Sequence, residues 1–266
     1  MKTHIKFLLK IMMLPALCMI FISAAAQQAD LKVMTYNIHH GNPPGKEGVI
    51  DLEAIASVIS SEKPDLVALQ ELDVRTIRSG NIDEVKKLAE LTGMQAFFSK
   101  GIDFEGGEYG IAILSRLRIN ATERFPLPFK EGLKAERRSL AIVNITLANG
   151  SKLDFACTHL DLKDEHRVLQ VAEINKILGA RKNSVILAGD FNLTPVNPAM
   201  RILEQYFSRS CENKCQPTSP DRDPKNEIDF VFLKKGSGLK VTSHKILNDI
   251  HDSDHLPVVV TFTNKD

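Results

Sequence analysis

Side chains of the kinds that hold divalent cations and phosphate stand where runs of strand-forming residues stop or start. Asn37 closes "VMTYN", Glu71 closes "DLVALQE", His159 closes "FACTH", Asp190 and Asn192 close "VILAGDFN", and Asp254 with His255 precedes "LPVVV". Carboxylate and amide oxygens at Glu71, Asp254 and Asn37 are hard ligands of the type Mg2+ accepts while keeping several waters. A cation so held polarises a phosphoryl oxygen and stabilises a leaving oxyanion. His159, His255 and Asn192 are of the types that hold the other phosphoryl oxygens, where charge grows in the transition state. Asp190 is suited to orienting or deprotonating a water. Phosphate recognition also calls for arginine, and "ERRSL" supplies Arg137 and Arg138 at a strand start.

Each of these residues has an ordinary alternative. Glutamate at a strand end usually faces water, Asn37 and Asn192 suit turns, and a histidine at a core rim is commonplace. The weight lies in the set, because loops and strand ends held by a rigid sheet are where reactive groups gather.

The elements that must position them alternate between strand and helix patterns, which indicates an α/β class in one domain. "LKVMTYNI", "DLVALQE", "MQAFFS", "GIAILSR", "INATERFPL", the run from Arg137 to Leu160, "SVILAGDFN", "IDFVFL", "LKVTSHKIL" and "LPVVVTF" read as strands. Asn149-Gly150 splits the run from Arg137 into a hairpin. Residues 51–62 place Leu52, Ile55, Ala56 and Ile59 on one helical face behind an Asp51 N-cap. Residues 81–93 form a second helix ended at Gly93, and residues 164–180 a third.

The chain has 266 residues with 43% hydrophobic composition, enough for one large core rather than a disulfide-stapled module. Its first 26 residues carry Lys2, Lys6 and Lys10, an apolar run and then Ser-Ala-Ala-Ala, the layout of a secretory signal peptide cleaved after Ala26. Residues 27–266 then form the folded domain, secreted or periplasmic, with no stable membrane span. Without those three lysines, 31 basic side chains face 33 acidic ones, a formal charge of −2. No bulk footprint for a nucleic-acid backbone is visible, and the absence of Trp removes the strongest stacking platform. Cys211 and Cys215 in "CENKC" are spaced for a short disulfide loop, while Cys157 reads as a buried thiol.

Taken in order and spacing, "VMTYNIHHG", "PDLVALQE", "GIAILSR", "CTHLD", "VILAGDFN", "IDFVF" and "SDHLPV" resemble the endonuclease/exonuclease/phosphatase superfamily from Leu31 to Phe262. The resemblance implies a four-layered α/β sandwich, two packed mixed β-sheets flanked by helices, with a divalent metal at one edge. It implies Glu71 as principal metal ligand with Asn37 and Asp254. Asp190 and Asn192 would position water and phosphate, and His159 and His255 would contact phosphate. Asp229 would hydrogen-bond His255. Some nucleases of the family carry an acid where this chain has His39, followed by His40, so His39 is read as a substrate contact or loop residue, and Tyr109 as a substrate contact or packing residue. A zinc site of His39, His40, His251 and His255 is not favoured, since no pair has helical ligand spacing. Residues 41–48 and 216–227 are expected to flank the pocket.

The expected function is that of an exported, monomeric phosphoesterase using Mg2+, with Mn2+ or Ca2+ as substitutes. It would attack a phosphodiester or phosphomonoester with water, and a small or lipid-linked substrate is slightly favoured. A secreted endonuclease acting on nucleic acid is one alternative. A non-catalytic module binding phosphorylated ligands is another.

Overall fold

The computed structural model describes residues 30–213 and 215–265; the signal-peptide reading falls on residues outside these. Among the described residues twelve strands form two six-stranded sheets. The first contains β1 (Leu31–Asn37), β2 (Leu66–Val74), β3 (Gln95–Phe104), β4 (Gly107–Ser115), β11 (Leu239–Ile246) and β12 (Val258–Asn264), in the order β11-β12-β1-β2-β4-β3. The second contains β5 (Ile119–Pro126), β6 (Ser139–Thr146), β7 (Lys152–His159), β8 (Ser184–Asp190), β9 (Phe207–Arg209) and β10 (Asp229–Lys234), in the order β5-β6-β7-β8-β10-β9. Each sheet is mixed: β1 with β2 and β7 with β8 run parallel, and the other pairs are antiparallel.

Alternation along the strands makes the layers. Val33, Leu66, Ala68, Ile111 and Ile113 point inward and meet Ala141, Val143, Phe155, Ile186, Ala188 and Val231 of the second sheet. Their neighbours Met34, Tyr36, Val67 and Leu69 point outward onto α1 (Leu52–Glu62) and α2 (Glu84–Thr92). On the far side, Leu140, Ile142, Leu187, Phe230 and Phe232 are covered by α3 (Asp164–Gly179) and α4 (Pro198–Leu203). Central strands buried on both faces must be apolar at every position, which is why they read as continuous apolar runs. The result is the four-layered sandwich.

The helix signals act as read. Asp51 accepts a hydrogen bond from Ala54 N, a cap contributing about 1 kcal/mol, and Gly93 ends α2 in the left-handed conformation. Cys211 and Cys215 form a disulfide, and Cys157 is a buried thiol. Among the described residues no helix is long and apolar enough to cross a membrane.

Three features depart from the expectation. Strand β3 runs on past Ser99 to Phe104, because Glu105 (φ 44°) and Gly106 (φ 81°) make a tight two-residue hairpin turn into β4. The short α4, capped by Asn197 with Pro198 in its first turn, and the three-residue β9 carry too little pattern to be read. Glu71 lies not at the end of β2 but within it, at a register shift between Gln70 and Leu72.

Candidate active site

Strand direction alone collects the predicted residues. The parallel pairs run the same way, so Asn37 at the end of β1 and Glu71 at the bulge in β2 reach the edge where His159 and Asp190, which are register partners, leave the other sheet. Strands β4, β6, β10 and β12 run the opposite way beside them, so Tyr109, Arg138, Asp229 and His255 lie at or near the starts of strands on that same edge.

Asp190 is the hub. Its Oδ2 accepts from Asn37 Nδ2 at 3.0 Å and its Oδ1 from Asn192 N at 2.9 Å. The same Oδ2 lies 3.5 Å from His159 Nε2 and 3.8 Å from His255 Nε2. Burial, reinforced by Asp229, raises its carboxyl, while His255, Asn192 and Asn37 pull the other way. The position is held by close packing: a Cβ at Gly189 would sit 2.0 Å from Thr158 O, so only glycine lets β8 press this tightly onto β7.

Asn37 is fully buried, and its Nδ2 donates to Glu71 Oε1 at 2.9 Å as well as to Asp190. Ionised carboxylates only accept, so the amide nitrogen faces them, and the amide oxygen instead accepts from His39 N at 3.1 Å. Asn37 therefore ties the two carboxylates together. The bulge turns Glu71 out of the ladder with φ 60°, a left-handed conformation that strains a residue with a Cβ.

The histidines are in opposite states. His159 is buried, and Arg138 Nη1 lies 3.0 Å from its Nδ1. A guanidinium only donates, so Nδ1 accepts and the ring proton sits on Nε2. Burial, with Arg138 and His255, holds this imidazole neutral, well below the usual range. Its Nε2 faces Asn192 Nδ2 at 3.1 Å, and that nitrogen donates to Leu160 O at 3.0 Å. For His255, burial opposes the charged form, but Asp229 and Asp190 outweigh it and push the ring up to about 10. His255 Nδ1 donates to Asp229 Oδ2 at 2.8 Å, and Thr218 Oγ1 donates to the same oxygen at 2.6 Å.

Other predicted residues stand further off. Arg138 is buried behind His159, paired with Glu136 at 3.0 Å, and placed to orient the histidine. Arg137 is exposed, its guanidinium 5.0 Å over the Phe129 ring. Tyr109 is mostly buried beside Phe104, and burial with Glu71 keeps its hydroxyl protonated. Asp254 is half-buried next to Ser253 and lies outside every cluster of convergent ligand atoms found among the described residues. His251 is held by Asp221 at 2.9 Å, away from His255's network.

Residues 216–227 support the site through Thr218. A cavity of about 420 Å3 opens beside Arg138, lined by Ile102, Asp103, Lys134 to Glu136 and Asp161 to Lys163. The sequence reading missed three contributors. Thr218 supports Asp229, Ser253 Oγ donates to Asn37 O at 2.7 Å, and Arg78 forms a bidentate pair with buried Asp73 while covering Phe104 at 4.6 Å. Ser253 carries a signal in "SDH", but Thr218 and Arg78 sit in loops with none.

Glu71, His159 and Asp190 each offer a ligand atom within 4.8 Å of the others, as do Asp190, Asp229 and His255. With His159 donating through Nε2 and His255 charged, the carboxylates of Glu71 and Asp190 are the groups of this set that fit a hard divalent cation.

A sequence model of the Endonuclease/Exonuclease/phosphatase family matches residues 34–255. The "Uncharacterized protein YbhP" of Escherichia coli (strain K12) is 26% identical over 247 residues, covering 87% of this chain and 96% of that one. A solved endonuclease/exonuclease/phosphatase from Beutenbergia cavernae superposes with a TM-score of 0.71 at 24% identity, over 88% of this chain and 72% of that chain. The Bacteroides thetaiotaomicron mannosyl-6-phosphatase Bt3783 superposes with a TM-score of 0.72 at 18% identity, over 88% and 99%.

Proposed function

The chain belongs to the endonuclease/exonuclease/phosphatase family of metal-dependent phosphoester hydrolases, and from that premise we propose that it is an exported, Mg2+-dependent phosphoesterase acting as a monomer on a small or lipid-linked phosphoester. The observation that carries the reading is a pair of donors. His159 Nε2–H and Asn192 Nδ2 face each other at 3.1 Å and cannot satisfy one another, whereas an anionic oxygen satisfies both. Beside them stands the charged ring of His255, so three donors converge on the place where a phosphoryl group gathers negative charge.

Asp190 provides the complementary function. Its raised carboxyl makes it a better base than an ordinary aspartate, and its Oδ2 is placed between the two histidines. Water oxygen bonds to phosphorus as the ester P–O bond breaks; the water proton passes to Asp190, and the ester oxygen leaves with the bonding pair as an alkoxide that takes its proton from solvent. Asn37 keeps the carboxylates of Asp190 and Glu71 in register. A hard cation held by Glu71, with the Asp190 carboxylate within reach and Asp254 on the adjoining loop, would supply Lewis-acid activation of the phosphoryl and leaving oxygens.

The choice of a small or lipid-linked substrate is supported by the weak acidic charge of residues 27–266, the lack of Trp, and the 420 Å3 cavity beside Arg138. That cavity mixes the cations Lys134, Arg138 and Lys163 and the acids Asp103, Glu136 and Asp161 with Ile102 and Leu162, a lining suited to a compact polar head with some apolar surface. The solved neighbour described as a mannosyl-6-phosphatase lends weight to a monoester. Export rests on the first 26 residues. The test is a hydrolysis panel of sugar phosphates, inositol phosphates, sphingomyelin and plasmid DNA, with Mg2+ or EDTA. Turnover of a small or lipid-linked phosphoester is expected, and turnover of DNA alone would replace this reading with that of an endonuclease.

A further inference from the structure

Glu71 belongs to a second cluster of convergent ligand atoms. One atom each from His39, His40 and Glu71 lies within 4.8 Å of the others. Both imidazoles come from the short 3-10 turn His39–Gly41 that follows β1, and their ring centroids are 4.4 Å apart. Three consecutive residues there take left-handed backbone angles, φ 45° at His39, 43° at His40 and 68° at Gly41. For two residues with a Cβ that conformation is unfavourable and persists only where the surroundings impose it. The turn is fixed from both sides. His39 N donates to Asn37 Oδ1, and the Asn42 side chain donates to the carbonyls of Lys46 and Val49 at 2.7 Å each.

Proton positions decide what the rings present. His39 Nδ1 lies 3.1 Å from the Asn42 carbonyl oxygen, which only accepts, so Nδ1 carries the proton and Nε2 keeps its lone pair. A histidine anchored this way through one nitrogen is pre-oriented to ligate a metal through the other. His40 Nδ1 is buried with no hydrogen-bond partner. Asn37 holds Glu71 by Oε1, which leaves Oε2 available. Arg78, the cation whose charge acts on His40, is neutralised by its bidentate pairing with Asp73. Two imidazoles with one carboxylate suit Zn2+ and related transition ions, whereas Mg2+ prefers oxygen alone.

We propose that His39, His40 and Glu71 form a transition-metal site, selective for Zn2+ over Mg2+. The site stands on its own donor set and does not depend on the proposed function. The zinc set not favoured from sequence joins His39 and His40 to His251 and His255, and those two are engaged by Asp221 and Asp229. Glu71 takes their place because the bulge in β2 turns it toward the 3-10 turn.

The experiment is a titration of the metal-free protein with Zn2+ in excess Mg2+, read in histidine-ring 1H–15N spectra and assigned with His39→Ala and His40→Ala. Expected are shifts of the His39 and His40 rings, complete at one equivalent of Zn2+ and absent with Mg2+ alone. By calorimetry, each variant should bind Zn2+ at least about tenfold more weakly, the lower end of what a lost supporting group does to metal affinity. Zn2+ that shifts only His159 and His255, or no ring at all, overturns the site. Should a variant fail to fold, the wild-type spectra still decide. Intact His39 and His40 shifts without phosphoester hydrolysis would refute the proposed function alone, and hydrolysis without those shifts would refute this site alone.

Discussion

His255 Nδ1 and Thr218 Oγ1 both bond the same oxygen of Asp229, at 2.8 Å and 2.6 Å. The other oxygen, Oδ1, is buried without a partner, so the carboxylate's charge is directed largely at His255. Burial by itself favours a neutral ring at this position, and Asp229 leads the groups that reverse it. In Asp229→Asn the His255 ring should lose its proton at a pH well below 10, followed by histidine-ring NMR on metal-free protein. A titration unchanged from wild type would show that Asp229 does not set the state of His255.

Arg138 acts through His159, by donating to Nδ1. Arg138→Ala should therefore lower kcat about tenfold or more with little change in KM, and should add almost nothing to His159→Ala in a double-mutant cycle. Additive losses would mean that Arg138 contacts substrate itself.

Glu84 offers a test of stability against pH away from the hydrolytic hub. Its carboxyl is buried and accepts from Asp73 N at 2.8 Å, and burial raises it from 4.5 to about 8. Between those values the unfolded chain has released the proton and the folded chain keeps it, so stability falls as pH rises from about 4.5 to 8. Glu84→Gln should flatten that part of the Tm-versus-pH curve. An identical slope in both proteins would contradict the assignment.

Gly189→Ala places a Cβ 2.0 Å from the Thr158 carbonyl oxygen, where backbone must move. A loss of about 3 kcal/mol or more in urea unfolding is expected, at the upper end for overpacking. Unchanged stability would show that β7 and β8 separate easily, and with them His159 and Asp190.

Much of this architecture is legible from local rules. Strands such as β1 and β8 are buried on both faces, so their apolar runs announce them, and Asp51, Gly93 and Asn149-Gly150 mark boundaries by their own backbone chemistry. The site set was legible because its members follow strands whose directions bring one end together. What stayed hidden depends on tertiary placement. The bulge that turns Glu71 outward has no residue signature, and β9 exists only because β10 offers it a ladder. The contact of Arg138 with His159 has no sequence signature, since the two lie 21 residues apart, one just before β6 and the other at the end of β7. His39 and His40 carry no helical spacing because three left-handed residues, not a helix, bring them together.

The central claim is that Asp190 drives attack by water at phosphorus with a divalent cation. The most direct measurement is turnover of 4-nitrophenyl phosphate and bis(4-nitrophenyl) phosphate in 18O-labelled water, by wild type and Asp190→Asn, with Mg2+ or EDTA. Expected are Mg2+-dependent turnover of at least one ester, 18O in the phosphate product and none in the nitrophenol. Asp190→Asn should show a fall of about 10^2- to 10^4-fold, the range for loss of a general base. Turnover that survives EDTA or the substitution, or 18O in the nitrophenol, would contradict the claim.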